Sequence, residues 1–161
     1  MNISAAVLEE RAAENDLILV ADWAPGITFL RYFHGATPWI TLPDVPDHTL
    51  HRYDLVAQRM GESDPLHAVM ERLSDTLKSG RRVWILGDLP FRLEAPPKPL
   101  PAAPGAPTGW QEAAYSRQWQ AQVGFFLRVH AAHIETVLPP LPMEQVDNYE
   151  NLPLFVASGW R

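Results

Sequence analysis

The stretch DLILVADWAPGITFLRYFHGATPWITLP, residues 16–43, decides the fold of this chain. Its uninterrupted apolar run over residues 17–21 is typical of a buried strand in a parallel sheet. A Pro-Gly turn follows, residues 27–34 have apolar side chains at helical spacing, and residues 38–42 form a second apolar run. A strand, a helix and a strand in this order predict a parallel β–α–β unit with a right-handed crossover.

The rest of the chain continues this alternation. The clearest predicted helix covers residues 64–79, where Pro65 occupies the first turn and Gly80 follows the last. The other predicted elements are helices over residues 3–14 and 112–137 and strands over residues 83–87 and 152–157. This order predicts a single α/β domain over residues 1–161, a three-layer Rossmann-like fold with a mostly parallel sheet of about four strands and helices on both faces. Residues 95–109, rich in Pro, Ala and Gly, predict an extended surface loop.

Composition excludes several classes of function. The chain has 161 residues, of which 47% are hydrophobic, a formal net charge of −6 and no cysteine. An acidic chain without a basic face is a poor partner for nucleic acid. The absence of cysteine excludes disulfides, thiol nucleophiles and cysteine metal sites. No apolar run reaches the roughly 18–20 residues of a membrane-spanning helix, and the first residues do not have the pattern of a signal peptide. We therefore expect a cytosolic protein or a fragment of a longer chain to which Met1 was added.

The motifs of cofactor binding and covalent catalysis are missing. The turn after the first strand, DWAPGITF, contains one glycine, and the third strand ends in Gly87-Asp88, so neither provides a GxGxxG loop for a pyrophosphate. There is no GxxxxGK[ST] loop for phosphates and no GxSxG turn for a serine nucleophile. We therefore predict no cofactor and assign no catalytic residue.

Two groups of histidines have weak metal-ligand spacing. His48, His51 and Asp54 lie near one another in the chain, and His130 and His133 would share one face of the predicted helix 112–137. A zinc site requires three or four converging ligands, which neither group supplies. We therefore predict that no metal is bound.

Two aspartates follow predicted strands at their carboxyl ends. Asp22, with Trp23, leaves the first strand, and Asp88 leaves the third. Ligands bind at this edge of open parallel sheets, so we predict that Asp22, Trp23 and Asp88 line one crevice. Arg31 and Tyr32, on the helix after the first strand, are predicted to add a charge-assisted contact and a stacking face. The alternative is that the aspartates cap turns and that Trp23 only packs.

The segments AAENDLILVADW and LRYFHG resemble the extracytoplasmic C-terminal domain of bacterial polytopic glycosyltransferases of the protein-mannosyltransferase and aminoarabinose-transferase type. The runs HRYDL at residues 51–55 and LKSGRRVWILGDLP at residues 77–90 are also similar to that group. The resemblance ends near residue 90, and the later segments match no part of the group.

The resemblance implies a soluble, non-catalytic accessory domain of a membrane glycosyltransferase that uses a polyprenyl-phosphate-linked sugar donor. The catalytic acidic residues of that group lie between membrane helices that this sequence does not contain, so none carries over. The implied partners are the membrane-embedded remainder of the parent protein and a sugar or lipid-linked sugar, at the extracytoplasmic (periplasmic) face of the inner membrane. The alternatives are a free-standing α/β module that binds a sugar or phosphate and a small soluble enzyme that uses Asp22, Asp88 or the histidines, both expected in the cytoplasm.

Overall fold

The computed structural model describes residues 1–92, 94–95, 98–103, 110–142 and 151–161, so part of the predicted loop at 95–109 lies outside the described residues. The helices are α1 (Asn2–Arg11), α2 (Gly26–Tyr32), α3 (Tyr53–Met60), α4 (His67–Lys78) and α5 (Glu112–His130). The strands are β1 (Leu17–Val20), β2 (Trp39–Thr41), β3 (Val83–Leu86), β4 (Ala131–Leu138) and β5 (Leu154–Trp160).

Within the described residues, the strands form one sheet in the order β2-β1-β3-β5-β4. β1 pairs in parallel with both β2 and β3, whereas β5 pairs antiparallel with β3 and β4 pairs antiparallel with β5. All four residues of β1 and of β3 are buried, which explains why both strands have uninterrupted apolar sequences. The predicted α/β class is confirmed, and the sheet is parallel at one end and antiparallel at the other.

Alternate residues of the central strands enter two separate cores. Leu19 and Ile85 belong to a core that contains buried side chains from α3, α4 and α5. Ile18 and Trp84 belong to a second core with buried side chains from α1 and α2. The side chains of a strand alternate between the faces of its sheet, so helices cover both faces of the parallel part.

The predictions for the last third of the chain are wrong in three respects. The predicted helix 112–137 ends at His130, and Ala131–Leu138 form β4, so the part of the sheet that the structure describes has five strands instead of about four. β4 contains Ile134, Thr136 and Val137, whose β-branched side chains favour strands over helices. The last strand, predicted at 152–157, is β5 and is antiparallel to β3. Outside this part of the chain, α3 (Tyr53–Met60) corresponds to no predicted element.

None of the helices in the described part of the chain is both long enough and apolar enough to cross a membrane.

A buried carboxylate fixes the amino ends of β1 and β3. Asp16 is only 4% exposed. Its Oδ1 accepts a hydrogen bond from the backbone N–H of Arg82, and its Oδ2 accepts from the Trp84 indole N–H and the backbone N–H of Ala13 at 2.9 and 3.0 Å. The Arg82 guanidinium also lies 2.8 Å from Oδ2. One side chain thus joins the end of α1 to the starts of both central strands.

The pKa of Asp16 reflects two opposing effects. Burial raises the pKa, but the hydrogen bonds from Trp84, Arg82 and Ala13 and the charge of Arg82 lower it by more, so the pKa lies below its ordinary value of 3.8. The ionised carboxylate therefore stabilises the fold.

We expect Asp16→Asn to lower the free energy of unfolding at neutral pH by about 2–4 kcal/mol, because the amide NH₂ cannot accept from Trp84 and Arg82. The folded-state pKa is lowered, so this stabilisation is present above the unfolded-state pKa and is lost as the pH falls through the folded-state pKa. Urea unfolding across an acid pH series should show the two proteins converging in stability. A difference that does not change with pH would show that the ionisation of Asp16 is not responsible.

Candidate functional site

A cleft of about 800 Å³ opens at the carboxyl ends of β1 and β3. From β1 the chain passes through α2 to β2, which neighbours β1 on the side away from β3. From β3 it passes through α5 to β4 and β5, which lie on the side of β3 away from β1. Ligand sites of open α/β sheets lie where neighbouring strands send their connections in opposite directions. Gly87 is at the base of the cleft with φ of 112°, and a Cβ there would lie 3.2 Å from the Cβ of Ala21. A glycine is therefore needed for the two strand ends to approach this closely.

The cleft brings together three of the five residues proposed from the sequence. Asp22, Trp23 and Asp88 all line it. Arg31 and Tyr32 do not: Arg31 is exposed at the end of α2, and Tyr32 lines a separate pocket of about 240 Å³ with residues of α1 and the segment after β4. The strand-end rule therefore located the residues that directly follow β1 and β3, but the turns of α2 carry Arg31 and Tyr32 away from the cleft.

Asp22 is held in the turn after β1. Its Oδ1 accepts a hydrogen bond from the backbone N–H of Ala24 at 3.1 Å. Burial raises the pKa of Asp22, and the negative charge of Glu112 raises it further, while the hydrogen bonds from Ala24 and Trp23 oppose the shift without cancelling it. Asp22 is thus a partly buried carboxyl group with a raised pKa at the wall of an open cleft.

Glu112, at the start of α5, connects this helix to the turn after β1. Its Oε1 accepts hydrogen bonds from the Trp23 indole N–H at 3.1 Å and from the Ser116 hydroxyl at 2.6 Å. Farther along α5, the side-chain amide of Gln120 donates to the carbonyl oxygen of Ala21 at 3.0 Å. These two contacts hold α5 beside the carboxyl end of β1.

Close packing at Gly124 brings α5 against the segment after β3. A Cβ at Gly124 would lie 2.5 Å from the carbonyl oxygen of Pro90, so only glycine permits this approach. Arg92, which follows Pro90, and Arg117, on α5, both line the cleft. The cleft thus contains acidic groups from the strand ends and α5 together with two guanidinium groups.

Three aromatic side chains, which we call the aromatic wall, line one side of the cleft: Trp23, Tyr53 and Trp110. The Trp23 and Tyr53 rings are 5.3 Å apart and edge-on, and the Tyr53 and Trp110 rings are 5.5 Å apart in a similar arrangement. Trp23 is buried, whereas Tyr53 is 56% exposed and Trp110 is 46% exposed. The inner ring anchors the wall, and the two outer rings offer apolar surface to a ligand.

Ion pairs fix the end of the loop that precedes Tyr53, the first residue of α3. Arg52 forms two hydrogen bonds with the carboxylate of Asp54 and a third with Asp47 at 2.6 Å. The hydrogen bonds that Asp47 accepts from the backbone and hydroxyl of Thr49, together with that from Arg52, lower the pKa of Asp47 to about 2. The carboxylate of Asp47 therefore stays ionised over the physiological pH range and keeps its contact with Arg52.

The two histidine groups do not converge on a common point. His48 packs on Trp39 and its pKa is lowered by burial, whereas His51 packs against Trp23. The prediction that His130 and His133 share a helix is wrong, since His130 ends α5 and His133 lies in β4. Among the described residues, no group of three or more His, Asp or Glu is arranged to hold a metal ion.

Sequence reasoning missed the residues that give the cleft its chemistry, namely Tyr53, Arg92, Trp110, Glu112 and Arg117. Tyr53 begins a helix that was not predicted. Trp110, Glu112 and Arg117 lie on α5 or just before it, and no local sequence pattern predicts that α5 packs beside the strand ends. Arg92 lies in the segment between β3 and α5. A partial signal was present, because amphipathic aromatic residues in loops commonly lie at binding surfaces.

The arrangement is suited to binding through stacking and hydrogen bonds. Among the described residues that line the cleft there is no serine, threonine or histidine. Comparison of the chain with protein-family models, with curated proteins and with solved structures gives no match. The chemistry of the cleft is therefore the main guide to function.

We expect Asp22→Asn to raise the melting temperature at neutral pH. The carboxyl group has a raised folded-state pKa, so it favours folding below its unfolded-state pKa, and this contribution is lost as the pH rises through the folded-state pKa. Asparagine keeps the oxygen that accepts from Ala24 and removes the charge repelled by Glu112. Thermal melts from pH 3.5 to pH 8 should show the variant gaining stability relative to wild type as the pH rises. A variant that is less stable than wild type throughout would contradict this account.

Proposed function

We propose that this chain is a non-catalytic saccharide-binding domain that works beside the membrane-embedded part of a glycosyltransferase with a polyprenyl-phosphate-linked sugar donor. The proposal includes a Rossmann-like arrangement of the parallel half of the sheet and a position at the extracytoplasmic face of the inner membrane. The cleft at the carboxyl ends of β1 and β3 supports the binding role, and the sequence resemblance supports the assignment to a glycosyltransferase.

The observation that carries the proposal is the combination of the aromatic wall with carboxylates in one open cleft. Sugar rings have apolar faces of C–H groups and a rim of hydroxyl groups, so they are bound by aromatic surfaces together with polar acceptors. The half-exposed rings of Tyr53 and Trp110 supply the surface. Asp22, Asp88 and Glu112 supply acceptors for hydroxyl groups.

The two arginines extend the range of ligands to anionic sugars. Arg92 and Arg117 line the same cleft as the aromatic wall and are exposed, so their guanidinium groups are accessible to a ligand. Guanidinium groups bind phosphate and carboxylate through paired hydrogen bonds. A sugar phosphate therefore fits the cleft as well as a neutral sugar, and binding measurements should include both.

A small soluble enzyme is the second candidate function, and the raised pKa of Asp22 is the observation that favours it. A carboxyl group that keeps its proton at a higher pH than usual is suited to general acid catalysis, and Glu112 supplies a second carboxyl group nearby. Such an enzyme would act on the saccharide itself, for example by hydrolysis of a glycosidic bond.

Saccharide binding is tested with a panel of monosaccharides, disaccharides and sugar 1-phosphates, by saturation-transfer NMR followed by calorimetry. We expect the double variant Tyr53→Ala, Trp110→Ala to bind about 5–150-fold more weakly, because each aromatic contact contributes about 0.5–1.5 kcal/mol. Tyr32→Ala is the matched control, since Tyr32 is a similarly exposed aromatic residue outside the cleft.

The Asp22→Asn variant separates binding from stability. We expect it to bind the saccharide more weakly while its melting temperature rises, which a purely structural role of Asp22 cannot produce. If no member of the panel binds, or if Tyr32→Ala weakens binding as much as the cleft variants do, the saccharide site is refuted.

Catalysis is tested with the 161-residue chain and a polyprenyl-phosphate sugar or a chromogenic glycoside as substrate. We expect no turnover, because the proposal places the chemistry in the membrane-embedded part of the parent protein. Glycoside hydrolysis that is lost in Asp22→Asn would establish the enzyme in place of the binding domain.

A further inference from the structure

β4 is the outermost strand at the antiparallel end of the sheet. It spans eight residues, Ala131–Leu138, and pairs with β5 on its inner side. Among the described residues, no strand pairs with its outer side. β2, at the other edge, has only three residues. A long edge strand without proline presents unpaired backbone N–H and C=O groups on which a further strand can form.

We propose that two copies of this chain associate through β4, with the two strands antiparallel about a two-fold axis at Ile134 and the two sheets joined into one. The strand that pairs with the outer side of β4 is β4 of a second copy of the chain. The argument depends on symmetry and on the polar side chains of two exposed residues, the imidazole of His133 and the carboxylate of Glu135.

Symmetry restricts the register of such a pair. A two-fold axis perpendicular to the sheet does not turn the sheet over. Two residues that are paired across the junction therefore have their side chains on the same side of the joined sheet. Because side chains alternate along a strand, the axis must then pass through a residue position. Near the middle of β4, the candidates for this position are His133, Ile134 and Glu135.

The pairing of the imidazole of His133 with the carboxylate of Glu135 selects one of these three registers. With the axis at Ile134, His133 of each copy faces Glu135 of the other, which gives two favourable cross-strand pairs on one face of the sheet. With the axis at His133 the two histidines face each other, and with the axis at Glu135 two carboxylates do. The register at Glu135 opposes two like charges, which destabilises a strand pair, and the register at His133 pairs no histidine with a carboxylate.

The remaining positions are compatible with this register. Ala131 faces Val137, Ala132 faces Thr136, and Ile134 faces its own copy, so no further charge is placed in the junction. The pairing of β4 with β5 is irregular between Thr136 and Leu138, and an axis at Ile134 leaves residues 132–136 for regular pairing. A ladder this short buries less than the roughly 1,200 Å² of standard interfaces, so we expect a dimer with a dissociation constant of about micromolar magnitude.

The register is measured directly by cysteine cross-linking, because the chain contains no cysteine of its own. In Ile134→Cys the introduced thiols face each other across the axis, with Cα atoms about 4.5–5.5 Å apart, within the range that a disulfide spans. Ala132→Cys and Thr136→Cys are the controls, since each thiol is then about four residues, or roughly 13 Å, from its copy. We expect mild oxidation to cross-link Ile134→Cys and not the controls, with circular dichroism confirming that all three fold.

Charge exchange tests the same register without a covalent bond. Sedimentation equilibrium should show that His133→Glu or Glu135→Lys alone weakens dimerisation by about 2–30-fold, because two cross-strand pairs change in each dimer. The double variant His133→Glu, Glu135→Lys should restore it, and Glu71→Lys, on the exposed surface of α4, should have no effect. A chain that stays monomeric at several hundred micromolar, a dimer insensitive to both single changes, or equal cross-linking of the three cysteine variants would overturn the proposal.

Discussion

The parallel pairing of β1 with β3 is the interaction on which the rest of the structure depends. Asp16 sets the relative position of the two strands at their amino ends, where its carboxylate accepts hydrogen bonds from Arg82 and Trp84. Gly87 permits their close approach at the carboxyl ends. Because the strands are joined at both ends, the residues that follow them, Asp22 and Asp88, are carried to the same cleft. A shift of one residue in this pairing would exchange the two faces of β3 and separate these residues.

The sequence was informative wherever the fold is determined locally. The apolar runs of β1 and β3, the amphipathic pattern of α4 and the turn at Pro25-Gly26 are short-range signals, and each predicted an element that the structure contains. The sequence also predicted the common location of Asp22, Trp23 and Asp88, because the carboxyl ends of parallel strands lie at the same edge of a sheet. The prediction was wrong where helix and strand patterns compete, as at residues 131–138, where the apolar spacing of α5 continues into a segment that pairs with β5 instead.

The aromatic wall shows why the rest of the site was not predictable. Trp23 and Tyr53 are 30 positions apart in the chain and Trp110 is farther still, so their contact depends on how α3 and α5 pack on the sheet. That packing is decided by individual close approaches, such as the one between Gly124 and Pro90. A glycine within a helix gives no indication in the sequence of which segment it will contact. Side chains from strand ends could therefore be assigned to the cleft, whereas those from the covering helix could not.

The two proposals together restrict how the protein can lie beside a membrane. An antiparallel junction of two β4 strands reverses the direction of every strand in the second copy, so the two clefts open in opposite directions. Two copies anchored in one bilayer must be related by an axis along the membrane normal. The axis of the proposed dimer is perpendicular to the sheet, so the joined sheet would lie parallel to the bilayer and both clefts would open sideways. A saccharide would then enter along the membrane surface, where the headgroups of lipid-linked sugars lie, and neither cleft would be closed by the bilayer itself.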